Sequence, residues 1–280
     1  MRRLGSTRSA SGGSGRSRPT AQARPSRSTA TARGETTRAR AMGLYRDEAV
    51  VLRTWKLGEA DRIVNLHTLA HGKVRAVAKG VRRTRSKFGA RLEPACRVAV
   101  QLYRGRGELD TLTQAETIDR FASLRSDPGS FARASAMLEA VDHLAPETGG
   151  DPDRHVMLVR ALTTLDRVDS ELVVAGFFLK LLAMEGVQPE LGSCVACGAG
   201  ESFEALDLEA GGVLCHRCRH GRPISREALE MLRQILGGQL GAALRRPADD
   251  AAAEVTAVAT AAIESHLERR LRSVTVLDRS

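Results

Sequence analysis

The chain has 280 residues, enough for one large domain or two ordinary ones, with 43 Lys and Arg against 33 Asp and Glu, a formal charge of +10 and a pI of about 10.1. Its longest apolar run, LVVAGFFLKLLAM, is broken by Lys180 and too short for a bilayer span, and no secretory apolar segment stands near the start. The composition fits a reducing compartment and a polyanionic partner, and it excludes a polytopic membrane protein.

The charge is unevenly spread. Residues 1–41 hold ten arginines and one glutamate, a net of +9. They are Ser, Thr, Arg, Gly and Ala with almost no large apolar side chain, so burial cannot offset their ordering entropy. They read as a disordered extension, explained better by translation from Met42, or by a solvated tail, than by organelle targeting. Residues 42–117 carry a net of +7 and residues 118–280 a net of −6. A basic N-terminal part is thus joined to a mildly acidic C-terminal part.

From Tyr45 the pattern is of short strands: EAVVLRTW, a GEAD turn, RIVNLHTL, an HGK turn and VRAVAKG. The basic stretch KGVRRTRSKFGARLEP follows, then CRVAVQLY, a GRGELD turn and LDTLTQAET. Five strands with the longest connection between the third and fourth predict a small OB-fold β-barrel; periodicity alone equally allows an SH3-like one. From Ile118 the period becomes helical, in SFARASAMLEAVDHL, RHVMLVRALTTLDRV and SELVVAGFFLKLLAMEGV. Two later helices, SREALEMLRQIL with Ser225 as N-cap and DDAAAEVTAVATAAIESHLERRL, follow a cysteine-rich insert. The expected organisation is a multidomain β + α protein: the 1–41 extension, an OB-fold barrel at 42–118, and an α-helical domain at 119–280 with a four-cysteine zinc module at 192–222.

The spacing Cys194-x2-Cys197-x17-Cys215-x2-Cys218 matches a four-thiolate zinc site, each CxxC turn bringing two sulfurs to one side of a tight loop. Gly198 and the Gly211–Gly212 pair suit the backbone of the two knuckles. Two disulfides are the competing reading, disfavoured without a secretion signal. Four cysteines fill the coordination shell, so the expected cofactor is one structural Zn²⁺. His216 and His220 lie beside the knuckles and are expected in solvent; Cys96 is expected in the core.

No P-loop and no strand-GxGxxG-helix unit is present, and HTLAH lacks the glutamate of HExxH. With no carboxylate cluster for a two-metal site either, the sequence presents no catalytic constellation, and the expectation is a protein that is not an enzyme. The basic connection instead reads as a nucleic-acid contact, with Lys79, Arg82, Arg83, Arg85, Lys87, Arg91 and, from the first strand, Arg53 as candidate DNA-binding residues. Lys56, Arg62, Lys73 and Arg75 add charge on neighbouring strands. Aromatics are few (Tyr45, Trp55, Phe88 and Tyr103 in the barrel), so backbone charge should outweigh base stacking.

YRDEAVVLRTWKLGEADRIVNLHT, GKVRAVAKGVRRTRSKFGARLEP and LDTLTQAET resemble the N-terminal domain of the RecO family of bacterial recombination mediators. GVQPELGSCVACG and GGVLCHRC resemble the zinc insert of its C-terminal domain, and the likeness extends from Met42 nearly to the end. It implies binding of single- and double-stranded DNA and annealing of complementary strands. It also implies loading of RecA, with RecR, onto DNA coated by single-stranded-DNA-binding protein (SSB) in the RecF pathway, at the bacterial nucleoid in the cytoplasm. An acidic SSB tail would need a local basic pocket, for which Arg233, Arg245, Arg246, Arg269 and Arg270 on the late helices are the candidates. The competing classes are a zinc-ribbon RNA-binding or transcription factor with a basic OB face, and a zinc-dependent hydrolase.

Overall fold

The computed structural model describes residues 42–82, 86, 88–168, 170–246 and 249–273, all of which belong to one compact unit. The expected 1–41 extension lies outside the described residues.

Strands β1 (Gly43–Leu57), β2 (Asp61–Thr68), β3 (Gly72–Ala78), β4 (Arg97–Arg104) and β5 (Asp110–Asp119) close into a barrel in the order β1-β2-β3-β5-β4. Only β3 and β5 pair in parallel, through Ala76↔Asp110, Val77↔Thr111 and Ala78↔Leu112. This is an OB-like arrangement, and closure leaves no open sheet edge along the paired rungs. Alternate side chains fill the interior, among them Ala49, Val51, Val64, Leu66, Val74, Ala76, Val98, Val100, Leu102 and Leu112. The connection between β3 and β4 plugs one end, because its 3₁₀ turn Gly89–Leu92 and the residue before it send Leu92 and Phe88 into that core, each 1% exposed. The aromatic inside the basic stretch is therefore a core residue.

β1 has a second task. Its run Ala49–Leu52 is buried on both faces. Ala49 and Val51 enter the barrel, while Val50 and Leu52 join the core of the helical part. A register shift between Val51 and Arg53 inserts the extra residue and swings β1 back into alternation.

The helical part contains α1 (Ala122–Ser126), α2 (Pro128–Leu144), α3 (Pro152–Leu165), α4 (Glu171–Met184), α5 (Arg226–Leu236), α6 (Leu240–Ala243) and α7 (Asp250–His266). Side chains cap five of them: Asp127, Asp151, Ser170, Ser225 and Asp249 accept backbone N–H bonds at the starts of α2, α3, α4, α5 and α7, and Ser225 is the residue expected from sequence. α4 is apolar all round because it lies at the centre of the core, with ten of its residues buried. Among the described residues no helix is long and apolar enough to cross a membrane.

Barrel and helices meet over a polar seam. His155 of α3, 1% exposed, is bonded through Nδ1 to the His67 carbonyl at 3.2 Å and through Nε2 to Glu48 at 3.0 Å. Arg97 donates twice to the same carboxylate, at 2.7 and 3.0 Å. Burial opposes the charge on Glu48, yet Arg97 and His155 hold its pKa below the usual carboxylate value. Lys73 donates to the Asp142 carbonyl at 2.7 Å and pairs with Glu147 at 2.8 Å, and Asn65 donates to the Asp142 carboxylate. The backbones also come close: Gly72 has φ +69°, and a Cβ there would stand 2.2 Å from the Gly149 carbonyl oxygen.

Candidate metal centre and candidate nucleic-acid interface

Strands β6 (Phe203–Asp207), β7 (Gly212–Cys215) and β8 (Arg222–Pro223) form a small antiparallel sheet in the order β7-β6-β8, with β6 and β7 between two cysteine knuckles and β8 after the second. In the first knuckle the Gly198 N–H bonds the Cys194 carbonyl at 2.8 Å, with Gly198 at φ +75° as the turn requires. In the second the Cys218 N–H bonds the Cys215 carbonyl at 3.0 Å. The four sulfurs of Cys194, Cys197, Cys215 and Cys218 all lie within 4.8 Å of one another.

The separations discriminate between the two chemistries. Cys197 and Cys215 sulfurs are 3.7 Å apart, far beyond the ~2.05 Å of a disulfide. Tetrahedral geometry with Zn–S of about 2.3 Å requires sulfur–sulfur edges of about 3.8 Å. The donor set therefore fits one closed, four-thiolate metal site compatible with zinc. The backbone favours ionised sulfur at its inner corner, where the Cys215 N–H points at Cys194 Sγ at 3.4 Å and draws that thiol down to about 6. Donating its S–H to the neighbouring sulfurs of Cys197 and Cys215 pushes Cys218 up to about 12, as expected when thiols must share protons.

Three further features support this centre; the Gly212 turn was expected from sequence, and the roles of Glu190 and His220 were not legible from spacing. Glu190 accepts the N–H groups of Gly192 and Ser193 at 2.6 and 3.1 Å, fixing the entry to the first knuckle. A Cβ on Gly212 would lie 2.5 Å from the Glu190 carbonyl oxygen, so that glycine lets the second knuckle fold back. His220, exposed and outside the sulfur cluster, joins the Cys218 carbonyl to Asp207, each at 2.8 Å; those two bonds raise its pKa. The module is tied to the helical core through Leu191, Leu206 and Val213, while Arg233 of α5 donates to the Leu191 carbonyl at 3.1 Å. His216 is exposed, and Cys96 is buried against the barrel interior.

On the barrel, the outward side chains of β1, β2 and β3 line up in rungs set by strand register. Val50 pairs with His67, and His67 with Lys73; these are covered by α2 and α3. The next rung holds Arg53, Asn65 and Arg75, and the one beyond it Trp55, Ile63 and Val77. Arg53 and Arg75 are exposed, Trp55, Ile63 and Val77 half-buried, and the Arg53 guanidinium lies 4.7 Å from the Trp55 ring centre. An apolar stripe containing the only tryptophan is thus bordered by arginines. Lys79, just past β3, is exposed beside it.

The other residues singled out from sequence are placed as follows. Arg82 is exposed, with Nη1 donating to the Gly58 carbonyl at 3.2 Å, and Arg91 donates to the Phe88 carbonyl at 3.2 Å. Arg83, Arg85 and Lys87 lie outside the described residues. Arg62 pairs with Glu93 at 2.9 Å, and Lys73 serves the seam. Tyr45 donates to Asp110 with Arg104 over its ring at 4.4 Å, so it belongs to the barrel end. Trp55, Ile63 and Val77 were missed as a group because their alignment depends on pairing across three strands.

These features define a class: an OB-like barrel with a cationic, tryptophan-bearing face, fused to a helical domain that carries a four-cysteine cluster with the geometry to bind a metal ion. Residues 42–121 match the family described as recombination protein O N terminal, and residues 125–275 match recombination protein O C terminal. DNA repair protein RecO of Cutibacterium acnes (strain DSM 16379 / KPA171202) is 40% identical over 248 residues, covering 85% of this chain and 100% of that protein. The chain belongs to the RecO family.

Proposed function

We propose that this protein serves DNA repair and homologous recombination as a non-enzymatic mediator. It binds single- and double-stranded DNA on the barrel, anneals complementary strands, and with RecR helps load RecA onto SSB-coated DNA in the bacterial cytoplasm. The observation that carries this reading is the outer face of β1–β3, where Arg53, Arg75 and Lys79 border Trp55, Ile63 and Val77. Cations there neutralise phosphates without reading sequence, and Trp55 offers one base a stacking surface. The kinship with a protein named for DNA repair supports the same role.

The four cysteines hold one structural Zn²⁺ in this reading, and the metal supplies folding energy to a module too small to bury its own core. The SSB tail, acidic and apolar, docks on the helical part. Of the late-helix candidates, Arg233 is engaged with the Leu191 carbonyl and Arg246 with Asp249 at 3.3 Å. A groove of about 480 Å³ between α3, α4 and α6 suits the tail better, with Val156, Met157 and Phe177 along it and Arg160 and Lys180 for the carboxylates.

The deciding experiment is annealing of complementary DNA strands coated with SSB, run beside tryptophan emission during DNA titration. Accelerated annealing with altered Trp55 emission is expected. No annealing, or a preference for structured RNA over DNA, would refute the proposal.

A further inference from the structure

A groove of about 510 Å³ opens where the barrel meets α2 and the segment following α7. Its barrel wall includes Leu52 and Arg53, its α2 wall Phe131 and Leu138, and its far wall Arg269 and Arg272. Arg53 thus stands both on the tryptophan-bearing strand face and at the mouth of this groove.

The far wall is held in position by specific contacts. Leu271 is fully buried, and its N–H bonds the Glu264 carboxylate at 2.8 Å. The two oxygens of Glu139 accept the N–H groups of Arg272 and Ser273 and the Ser273 hydroxyl, at 3.0 to 3.1 Å. Glu139 is therefore spent on backbone, and the segment it pins displays Arg269 and Arg272, both exposed. Among the described residues neither arginine makes an ion pair. Arg53, 48% exposed, lies over the Trp55 ring and has a loose pairing with Asp142 at 3.9 Å. The remaining wall is mixed: Pro94, the half-buried ring of Phe131 and the buried Leu138 are apolar, and Ser135, Asp142 and His143 are polar.

We infer that this groove is a second nucleic-acid subsite, in which a single strand leaving the Trp55 face sets its phosphates on Arg53, Arg269 and Arg272 and rests a base against Phe131. This rests on the proposed binding of DNA by the barrel. Three features favour a nucleotide over an acidic peptide. Arg53 makes the groove continuous with the strand face; guanidinium forks match phosphate oxygens in pairs; and an aromatic wall accepts the flat side of any base. The site also gives the helical part, acidic in total, a local share in holding DNA.

The test is the salt dependence of binding, by fluorescence anisotropy, of a labelled oligothymidylate long enough to cover both surfaces. Each phosphate contact to a single strand contributes about 0.7 to the slope of log affinity against log salt. In the full chain, R269Q/R272Q should flatten that slope by about 1.4 while metal content and thermal midpoint stay unchanged, and R269K/R272K should keep it. A wild-type slope and affinity in R269Q/R272Q would overturn the inference, as would intact DNA binding accompanied by lost binding of an acidic, apolar peptide. If wild-type protein failed to bind the oligonucleotide at all, the barrel reading itself would fall. Photocrosslinking from 4-thiothymidine DNA to unmodified protein checks the same point without substitutions. Crosslinks at Phe131 support the groove, and crosslinks confined to the strands of the barrel exclude it.

Discussion

The metal centre and the outer face of β1–β3 are assembled in opposite ways. The first takes its four ligands from two tight turns, and each turn is made locally, by Gly198 and by the Cys215–Cys218 bond. The second takes one residue from each of three strands and depends on register, since a shift of one residue would turn Trp55 and Ile63 inward. The face is also divided along its length. Its first rung, with Val50 and His67, is buried under the helices, and the later rungs open by degrees: Asn65 is still buried against α2, while Arg53 and Arg75 are exposed and Trp55, Ile63 and Val77 half-buried. Damage to the metal centre should therefore appear in folding, damage to the covered rung in stability and pH dependence, and damage to the open rungs in DNA affinity alone.

The largest effect is expected from Cys194→Ser or Cys215→Ser. Both sulfurs are buried, and a closed four-thiolate site couples metal binding to folding. Stoichiometric metal should be lost, and hydrogen exchange should speed up from Leu191 to α5 while the barrel strands remain protected. Equal loosening of the barrel would show that the two regions are not separable.

The covered rung comes next. Burial, reinforced by His155, holds His67 down to about 4, and neither of its ring nitrogens has a hydrogen-bond partner among the described residues. The unfolded chain takes up that proton near pH 6.5, so stability is full above this value, falls between about 6.5 and 4, and levels off below. The loss attributable to His67 is about 3 kcal/mol at about 1.4 kcal/mol per pH unit. Urea denaturation across this range should show it, and a slope that stays the same in His67→Gln would assign the pH dependence elsewhere.

A smaller loss, about 2 kcal/mol, is expected for Gly72→Ala, from positive φ and the collision with the Gly149 carbonyl. Its signature is a lower urea midpoint with metal content unchanged. The open rungs should show the least effect on stability. Arg53→Ala with Arg75→Ala should leave the melting temperature where it is and flatten the single-strand salt slope by about 1.4. A lowered melting temperature would mean that these arginines hold the barrel instead.

What the sequence determined by itself was whatever depends on near neighbours. The two CxxC turns, the Ser225 cap and the five strand segments all follow from residues a few positions apart, and each stands where spacing and turn chemistry put it. Tertiary structure alone decided which side chains share a surface. Periodicity left OB-like and SH3-like barrels equal until the parallel pairing of β3 with β5 closed the order. The basic stretch read as one cationic loop, yet Phe88 and Leu92 are buried in the barrel, and Arg82 and Arg91 donate to nearby backbone carbonyls. His67 looked like half of a failed HExxH pair and is instead a neutral residue of the seam. Burial and register are properties of strands and helices brought together across long separations, and a local window along the chain carries no record of them.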